Sequence, residues 1–285
     1  MRIAITGSTG FIGTALGKHI TKTAGDTPIT QFDKNKYSLS EVSSLKSFVE
    51  KKDVVIHLAG VSSGHTCYEV NTIGTKNLLE AVSLYGEKNT TIIYASSFAV
   101  YEEITHNLPL SEDNTKTLPR NHYGLSKLFS EEILQFYQRK YNFPLRILRI
   151  ANPYGPGSIN NGVIAMLFDK IYKGEPITID GDGFQKRDFI YIDDVCKSFL
   201  NALTYPKNSL VVNICSGKEL SLLAVIKKIE SLLGKKALLS YNKNYSEKGY
   251  WIGDTRKAKK EINFLAETEI DYGLKQTAKW YKNTI

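Results

Sequence analysis

The sequence has few cysteines and no long apolar run. Only 3 of its 285 residues are cysteines. Cys67, Cys196 and Cys215 lie far apart and form neither a CxxC pair nor the spacing of a metal site. We therefore expect reduced thiols, a cytoplasmic protein and no metal. No apolar run reaches the length of a membrane span, and the short run in MRIAITGSTG ends in a glycine-rich turn, unlike a signal peptide. No membrane partner is predicted.

The sequence also lacks a concentrated charge of one sign. It has 37 basic and 29 acidic side chains and a formal net charge of +8. The basic residues are scattered, and short clusters such as RKAKK in the last third are typical of solvated helix faces. A nucleic acid is therefore not predicted as a partner, although an excess of basic residues suits a phosphorylated ligand.

Strand-like and helix-like segments alternate through the first half of the chain. Short runs rich in β-branched residues, which suit strands buried on both faces, are separated by amphipathic stretches of helical period. The strand-like runs cover residues 2–6, 28–32, 53–59, 90–96 and 145–150. This alternation predicts the α/β class, with a doubly wound parallel sheet of the Rossmann type.

The pattern changes after about residue 151. ANPYGPGSINNG has the composition of a loop, and a helix is predicted at roughly 162–173. The segment 175–192 resembles a hairpin, and the strand-like run 210–214 is expected to return to the main sheet. We therefore expect a small C-terminal α+β lobe that binds the substrate. The dinucleotide-binding domain would comprise 1–154 with about 189–214, and the lobe 155–188 with 215–285.

A glycine-rich turn follows the first strand and opens the first helix. Gly7, Gly10 and Gly13 have G-x-x-G-x-x-G spacing. Such glycines allow a tight turn, close approach of the backbone to a pyrophosphate, and close packing of the helix, whose N-terminus attracts phosphates. The sequence therefore predicts a dinucleotide site.

The end of the second strand indicates which dinucleotide is bound. Asp33 lies twenty residues after Gly13, where a carboxylate accepts hydrogen bonds from the adenosine ribose and repels a 2′-phosphate. This favours NAD over NADP. Lys34 and Lys36 leave NADP as an alternative, because a basic pair beside the ribose could offset the repulsion of a 2′-phosphate by Asp33.

The segment NHYGLSKLFSEE places Tyr123 one helical turn before Lys127. The chain also contains TGSTGFIG, VVIHLAG, YASSFAVYE, LRIANPYGPG and GDGFQKRDFIYIDDV, in this order. With these motifs the chain resembles the extended short-chain dehydrogenases/reductases, and within them the NAD-dependent nucleotide-sugar epimerase/dehydratase family, of the UDP-glucose 4-epimerase type. The resemblance runs almost from end to end.

The resemblance implies a role for each motif. Tyr123 would be the catalytic acid/base, with Lys127 supporting it and Ser97, rather than Ser96, aligning the reacting oxygen. A free tyrosine has a pKa of about 10, and we expect Lys127 and the nicotinamide to lower that of Tyr123. The implied cofactor contacts are Gly7, Gly10, Phe11, Ile12, Gly13, Asp33, Leu58, Ala59, Tyr123 and Lys127, and the implied substrate contacts are Ser97, Asn152 and Arg187.

The residues after Ser97 indicate which of the family's reactions this chain could catalyse. The family's 4,6-dehydratases carry Asp-Glu there, whereas this chain has Phe98 and Ala99, which cannot transfer a proton. The resemblance then implies 4-epimerisation of a UDP- or dTDP-sugar through a 4-keto intermediate. The segment 61–70 is shorter than in typical epimerases, which gives weight to a reductase or dehydrogenase of 4-keto-6-deoxy sugars. A non-enzymatic alternative is an NAD-binding sensor or RNA-binding member of the fold.

The resemblance also implies an oligomer. Helices at roughly 68–85 and 120–141 would pair with those of a second subunit as a four-helix bundle, giving a homodimer. Leu128, Ile133, Leu134 and Tyr137 supply apolar surface on the second helix, although the same face could belong to the core.

Overall fold

The computed structural model describes residues 1–25, 27–102, 109–159, 162–242 and 250–284. A π-helical turn, Tyr68–Ile73, leads directly into the third helix. The strands are β1 Ile3–Thr6, β2 Ile29–Gln31, β3 Val54–His57, β4 Thr91–Ser97, β5 Leu145–Ile150, β6 Asn152–Tyr154, β7 Pro176–Asp180, β8 Lys186–Tyr191, β9 Ser209–Ile214, β10 Glu219–Ser221 and β11 Leu238–Asn242. The helices are α1 Phe11–Ala24, α2 Lys46–Val49, α3 Gly74–Tyr85, α4 His122–Tyr141, α5 Val163–Lys173, α6 Ile192–Leu203, α7 Leu222–Leu233, α8 Arg256–Ile262 and α9 Ile270–Thr284.

Six strands form a parallel sheet in the order β2-β1-β3-β4-β5-β9. The α/β prediction is confirmed, and the strand predicted at 210–214 forms the sixth strand, β9. The chain reverses its direction of winding between β1 and β3, so a crevice is expected outside the carboxyl ends of these strands.

Both faces of the sheet are covered by helices. Ile3 and Ile5 pack with Leu16 of α1 and Phe199 of α6 on one face. On the other face, the core contains Ala4 of β1 together with side chains of α2, α3 and α4, among them Phe48, Leu78 and Leu134. Side chains alternate along a strand, and residues buried on both faces explain why the strands read as continuous apolar runs. The doubly wound arrangement is therefore confirmed.

The second half contains two small sheets, with orders β10-β8-β6 and β11-β7. The hairpin predicted at 175–192 is wrong, because β7 pairs in parallel with β11, while β8 pairs with β6 and β10. The turn between β7 and β8 forms backbone hydrogen bonds with other segments instead. The amide of Gly181 donates to the carbonyl of Asn242, and the carbonyl of Gly183 accepts from the amide of Leu223. These bonds direct the two strands into different sheets.

In the part of the chain that the structure describes, no helix is long and apolar enough to cross a membrane.

Candidate active site

The turn between β1 and α1 is built from closely packed backbone. Gly7 has a φ of +65°, in the left-handed region that favours glycine. A Cβ atom on Gly13 would lie 2.2 Å from the carbonyl oxygen of Gly7. Gly10 is the N-cap of α1, and among the described residues no side chain caps the helix there. The turn therefore presents backbone amides at a helix N-terminus, which fits the pyrophosphate of a dinucleotide.

A cavity of about 610 Å³ lies at the carboxyl ends of the strands, next to this turn. Its lining includes seven of the residues predicted to contact the cofactor: Gly7, Gly10, Ile12, Gly13, Leu58, Tyr123 and Lys127.

The other three predicted cofactor residues are not among those that line this cavity. Ala59 forms the backbone wall behind Gly7, whose added Cβ would be 2.7 Å from the Ala59 nitrogen. Phe11 begins α1. Asp33 is exposed after the end of β2, and its Oδ1 accepts a hydrogen bond of 2.9 Å from the Asn35 amide. Its role toward the adenosine ribose stays a prediction.

Tyr123 and Lys127 lie on one face at the start of α4. The helix begins with Asn121 as N-cap, whose Oδ1 accepts from the Gly124 amide at 2.8 Å. A Cβ on Gly124 would be 2.0 Å from the Ala99 carbonyl oxygen, so only glycine lets α4 approach the segment after β4 this closely. Lys127 Nζ donates to the carbonyl of Ala95 at 2.8 Å and lies 6.0 Å from the Tyr123 ring centre.

Burial controls the protonation of both groups. Burial raises the pKa of Tyr123, and the hydrogen bond with Ser97 opposes this rise. Burial also lowers the pKa of Lys127 to about 8, while the charge of Glu131 acts in the opposite direction. In the protein alone, burial outweighs the Ser97 hydrogen bond, and the expected lowering of the Tyr123 pKa by Lys127 together with the nicotinamide stays a prediction.

The two serines at the end of β4 have different environments. Both are among the residues that line the cavity, and the Oγ of Ser97 accepts from the Ala99 amide at 3.1 Å. The hydroxyl of Ser96 is buried and donates to the carboxylate of Glu131. Because successive side chains of a strand point to opposite faces, only one of the two hydroxyls can be directed toward Tyr123. The hydrogen bond that lowers the pKa of Tyr123 comes from Ser97, which supports the predicted choice.

A second cavity, of about 570 Å³, adjoins the first. Its lining includes all three predicted substrate residues, Ser97, Asn152 and Arg187. The Asn152 amide nitrogen donates to the Asp188 carbonyl at 2.8 Å, and the Arg187 guanidinium lies 5.9 Å from the Trp251 ring centre. The Asp188 carboxylate accepts from the backbone amides of Ser216 and Gly217 and from that of Gly253, which fixes the backbone next to Arg187.

Sequence reasoning missed several residues of this second cavity. Among them, Arg120 and Asn121 line it from the turn that starts α4, and Trp251 lines it from a distant segment. The signal for the first two was their place directly before Tyr123. Trp251 carried no such signal, because its bridge to Arg187 joins segments far apart in sequence.

His57 has a structural role at the end of β3. It is fully buried, with its ring nitrogens 2.6 Å from Thr6 Oγ1 and 2.9 Å from Thr75 Oγ1. Burial lowers the pKa of His57 to about 3, with a smaller contribution from Lys127. Within the described ranges, no group of three or more His, Cys, Asp or Glu side chains could hold a metal ion.

Comparison with known proteins gives consistent matches over the whole chain. The family model of the NAD-dependent epimerase/dehydratase family matches residues 3–215. The chain is 30% identical to UDP-glucuronate 4-epimerase of Thermodesulfobacterium geofontis, over 99% of this chain and 96% of the relative. It is 31% identical to dTDP-4-dehydro-6-deoxyglucose reductase of Escherichia coli, over 97% and 96% of the two chains.

Solved structures agree with this result. The UDP-glucuronic acid 4-epimerase of Bacillus cereus, solved in complex with UDP-glucuronic acid and NAD, has a TM-score of 0.85. The two proteins are 28% identical, and the match covers 100% of each chain.

Proposed function

Because the chain belongs to the NAD-dependent epimerase/dehydratase family, we propose that it is an NAD-dependent 4-epimerase of a UDP-sugar, acting through a 4-keto intermediate. The observation that carries this proposal is the junction of the two cavities. Ser97, Tyr123, Ile150, Ala151 and Asn152 line both of them. A dinucleotide in one cavity and a sugar nucleotide in the other would therefore meet at the Ser97 and Tyr123 hydroxyls.

The first cavity fits NAD. The backbone of Gly7, Gly10 and Gly13 would hold the pyrophosphate at the N-terminus of α1, and Asp33 would bind the adenosine ribose. Held there, NAD would supply the acceptor and donor of the hydride at carbon 4 of the sugar.

The chain's own residues would handle the proton. Tyr123 would take the proton of the C4 hydroxyl as a general base and return it as a general acid. Ser97 would hold the same oxygen by a hydrogen bond. Lys127 would stabilise the phenolate of Tyr123, since an ammonium close to a phenol favours the ionised form.

The second cavity suits a nucleoside diphosphate. Among the described residues that line it are Arg120 and Arg187, and none of those lining residues is Asp or Glu. A guanidinium binds phosphate oxygens in a bidentate manner, so we assign the diphosphate to Arg187 and Asn152. The substrate would lie between the sheet domain, 1–154 with 189–214, and the lobe, 155–188 with 215–285.

A homodimer is part of the proposal. The face that would pair with a second subunit differs from the one expected, since Leu134 is fully buried in the core. The exposed apolar side chains of the π-helical turn, α3 and α4 are Ile73, Leu84, Phe129, Phe136 and Tyr141. Covering this face with the same face of a second copy would remove it from water. The three cysteines are free and buried, which suits the cytoplasm.

The second candidate is a reductase of a 4-keto-6-deoxy sugar nucleotide. It is favoured by the likeness to the E. coli reductase, because Ser97, Tyr123 and Lys127 would serve either reaction.

One experiment separates the candidates. The purified protein is incubated without added cofactor with UDP-glucose, UDP-galactose, their N-acetyl forms and UDP-glucuronate, and the anomeric protons are followed by NMR. Appearance of a 4-epimer supports the epimerase. No conversion, followed by NADH consumption when a 4-keto-6-deoxy sugar nucleotide is supplied, identifies the reductase. Retained NAD without any turnover identifies a binding protein.

A further inference from the structure

Three consecutive residues at the end of β4 bind three side chains of α4. The Ala95 carbonyl accepts from Lys127 Nζ, the Ser96 hydroxyl donates to Glu131, and Ser97 hydrogen-bonds Tyr123. Tyr123, Lys127 and Glu131 are four residues apart, so they share one face of the helix. Two of the three contacts involve the proposed acid/base and its supporting lysine. The third, between Ser96 and Glu131, has no part in the function proposed above.

Glu131 is held more firmly than a surface carboxylate. Its side chain is fully buried. The guanidinium of Arg149, on β5, donates to this carboxylate through Nε at 3.1 Å and through Nη2 at 2.7 Å. The same guanidinium lies 4.8 Å from the ring centre of Tyr101. A buried carboxylate with this many donors has little freedom to move, and breaking such a pair is costly. The contact therefore fixes α4 against both β4 and β5.

The groups around Lys127 come from four elements. Tyr94 of β4 faces the ammonium at 4.7 Å from its ring centre, and His57 of β3 is kept neutral by its burial. The thiol of Cys67, from the loop before the π-helical turn, and the carboxylate of Glu131 both favour the charged ammonium. Of these two, Glu131 has the larger effect.

We propose that Glu131 is a positioning residue for proton transfer: through Ser96 it holds the end of β4, and with it Ser97, against the face of α4 that carries Tyr123 and Lys127. This inference rests on the proposed function, because it concerns the same hydroxyl-bearing site. It adds a residue that is not among those lining either cavity.

Three variants separate geometry from charge. Ser96→Ala removes the link to β4 but leaves the ion pair with Arg149 intact. We expect kcat to fall by about 10- to 100-fold with KM unchanged, since small displacements of reacting groups have effects of this size. Glu131→Gln keeps the shape and removes the charge, so the basic limb of the kcat–pH profile should move to lower pH. Glu131→Asp keeps the charge, and that limb should stay in place.

The control is Asp194→Asn on α6. Asp194 is also fully buried and accepts from the Thr268 amide at 2.9 Å. Its loss should lower Tm without changing kcat or the pH profile. Melting curves and circular dichroism of every variant confirm that folded protein is compared. Folded Ser96→Ala and Glu131→Gln with wild-type kcat and pH profile would overturn the proposal.

A readout that needs no turnover keeps the two proposals apart. The titration of Lys127 is followed by ¹³C NMR of protein carrying [ε-¹³C]lysine, with Lys127→Arg to assign the signal. We expect its midpoint to be lower in Glu131→Gln than in wild type or Glu131→Asp. A shifted midpoint in a protein that converts no sugar nucleotide would reject the proposed function and retain the inference. An unchanged midpoint in an active epimerase would reject the inference about Glu131 and retain the proposed function.

Discussion

The two cavities that meet at Tyr123 share five lining residues but differ in the rest of their walls. The cavity of about 610 Å³ (the cofactor cavity) contains the glycine turn, where Gly7 and Gly13 are packed so closely that an added Cβ would collide with backbone. The substrate cavity is formed by side chains, among them two arginines and Trp251. An added atom should therefore damage the first, and a removed functional group should damage the second. In the proposed reaction, both cavities use the hydroxyl of Tyr123.

Replacing Tyr123 by phenylalanine should give the largest effect. The ring still fills its position between the cavities, but the proton acceptor is gone. We expect turnover to fall by about 10³-fold or more, near the upper range for general acid–base catalysis, while the NAD that copurifies with the protein stays the same. Rates come from NMR and cofactor content from the absorbance of the denatured extract. Normal turnover would remove Tyr123 from the mechanism.

Gly13→Ala tests the backbone-built cavity. Its Cβ would lie 2.2 Å from the Gly7 carbonyl oxygen and 2.7 Å from the Ser8 Cα, and backbone atoms cannot move away as a flexible side chain would. Overpacking costs about 1–3 kcal/mol, so the Kd for NAD should rise by roughly 10- to 100-fold. Calorimetric titration with NAD measures it. Unchanged affinity would show that the turn tolerates an added atom.

Arg187→Gln tests the side-chain-built cavity. Losing a charged hydrogen-bond donor costs about 1.5–3 kcal/mol, so KM for the sugar nucleotide should rise by roughly 10- to 100-fold, with NAD content unchanged. The control is Arg256→Gln, because Arg256 is exposed and paired with Asp254. Equal KM values for the two variants would contradict the assignment of the diphosphate to Arg187.

Acid should weaken the structure beneath the cofactor cavity. The pKa of His57 is about 3 in the folded protein, against about 6.5 when unfolded. Its contribution is fully present above pH 6.5 and is lost as the pH falls toward 3, by about 1.4 kcal/mol per pH unit. Urea unfolding at pH 7 and 5.5 measures this loss, and His57→Gln should show a shallower dependence. If wild type and His57→Gln lose the same unfolding free energy between the two pH values, His57 is not the source of the acid sensitivity.

Gly17→Ala should have the smallest effect and is the control for Gly13→Ala. Gly17 lies in the same helix, and an added Cβ would meet nothing within 4 Å. Alanine in a helix interior is favoured over glycine by about 0.5–1 kcal/mol, so Tm should rise slightly and NAD affinity should stay constant. A decrease in NAD affinity would mean that α1 as a whole, rather than the contact at Gly13, controls binding.

The same contrast explains what the sequence could predict. The apolar runs and the glycine spacing are local patterns, so the strands of the parallel sheet and the turn before α1 could be recognised directly. Tyr123 and Lys127 are neighbours on one helix, so their pairing could also be recognised from the sequence. The pairing of β7 with β11 and the approach of Trp251 to Arg187 join distant segments, and no local pattern encodes them. The raised pKa of Tyr123 depends on burial, which only the packed chain supplies.

The most direct test of the account follows the hydrogen at carbon 4. Whichever UDP-hexose the enzyme converts is prepared with deuterium at C4 and incubated with the protein without added cofactor. If the hydride removed from C4 is held on the bound cofactor and returned to the same sugar, the 4-epimer should appear with the deuterium retained at C4. A product carrying ordinary hydrogen at C4, or no product while a 4-keto sugar nucleotide consumes NADH, would contradict the account.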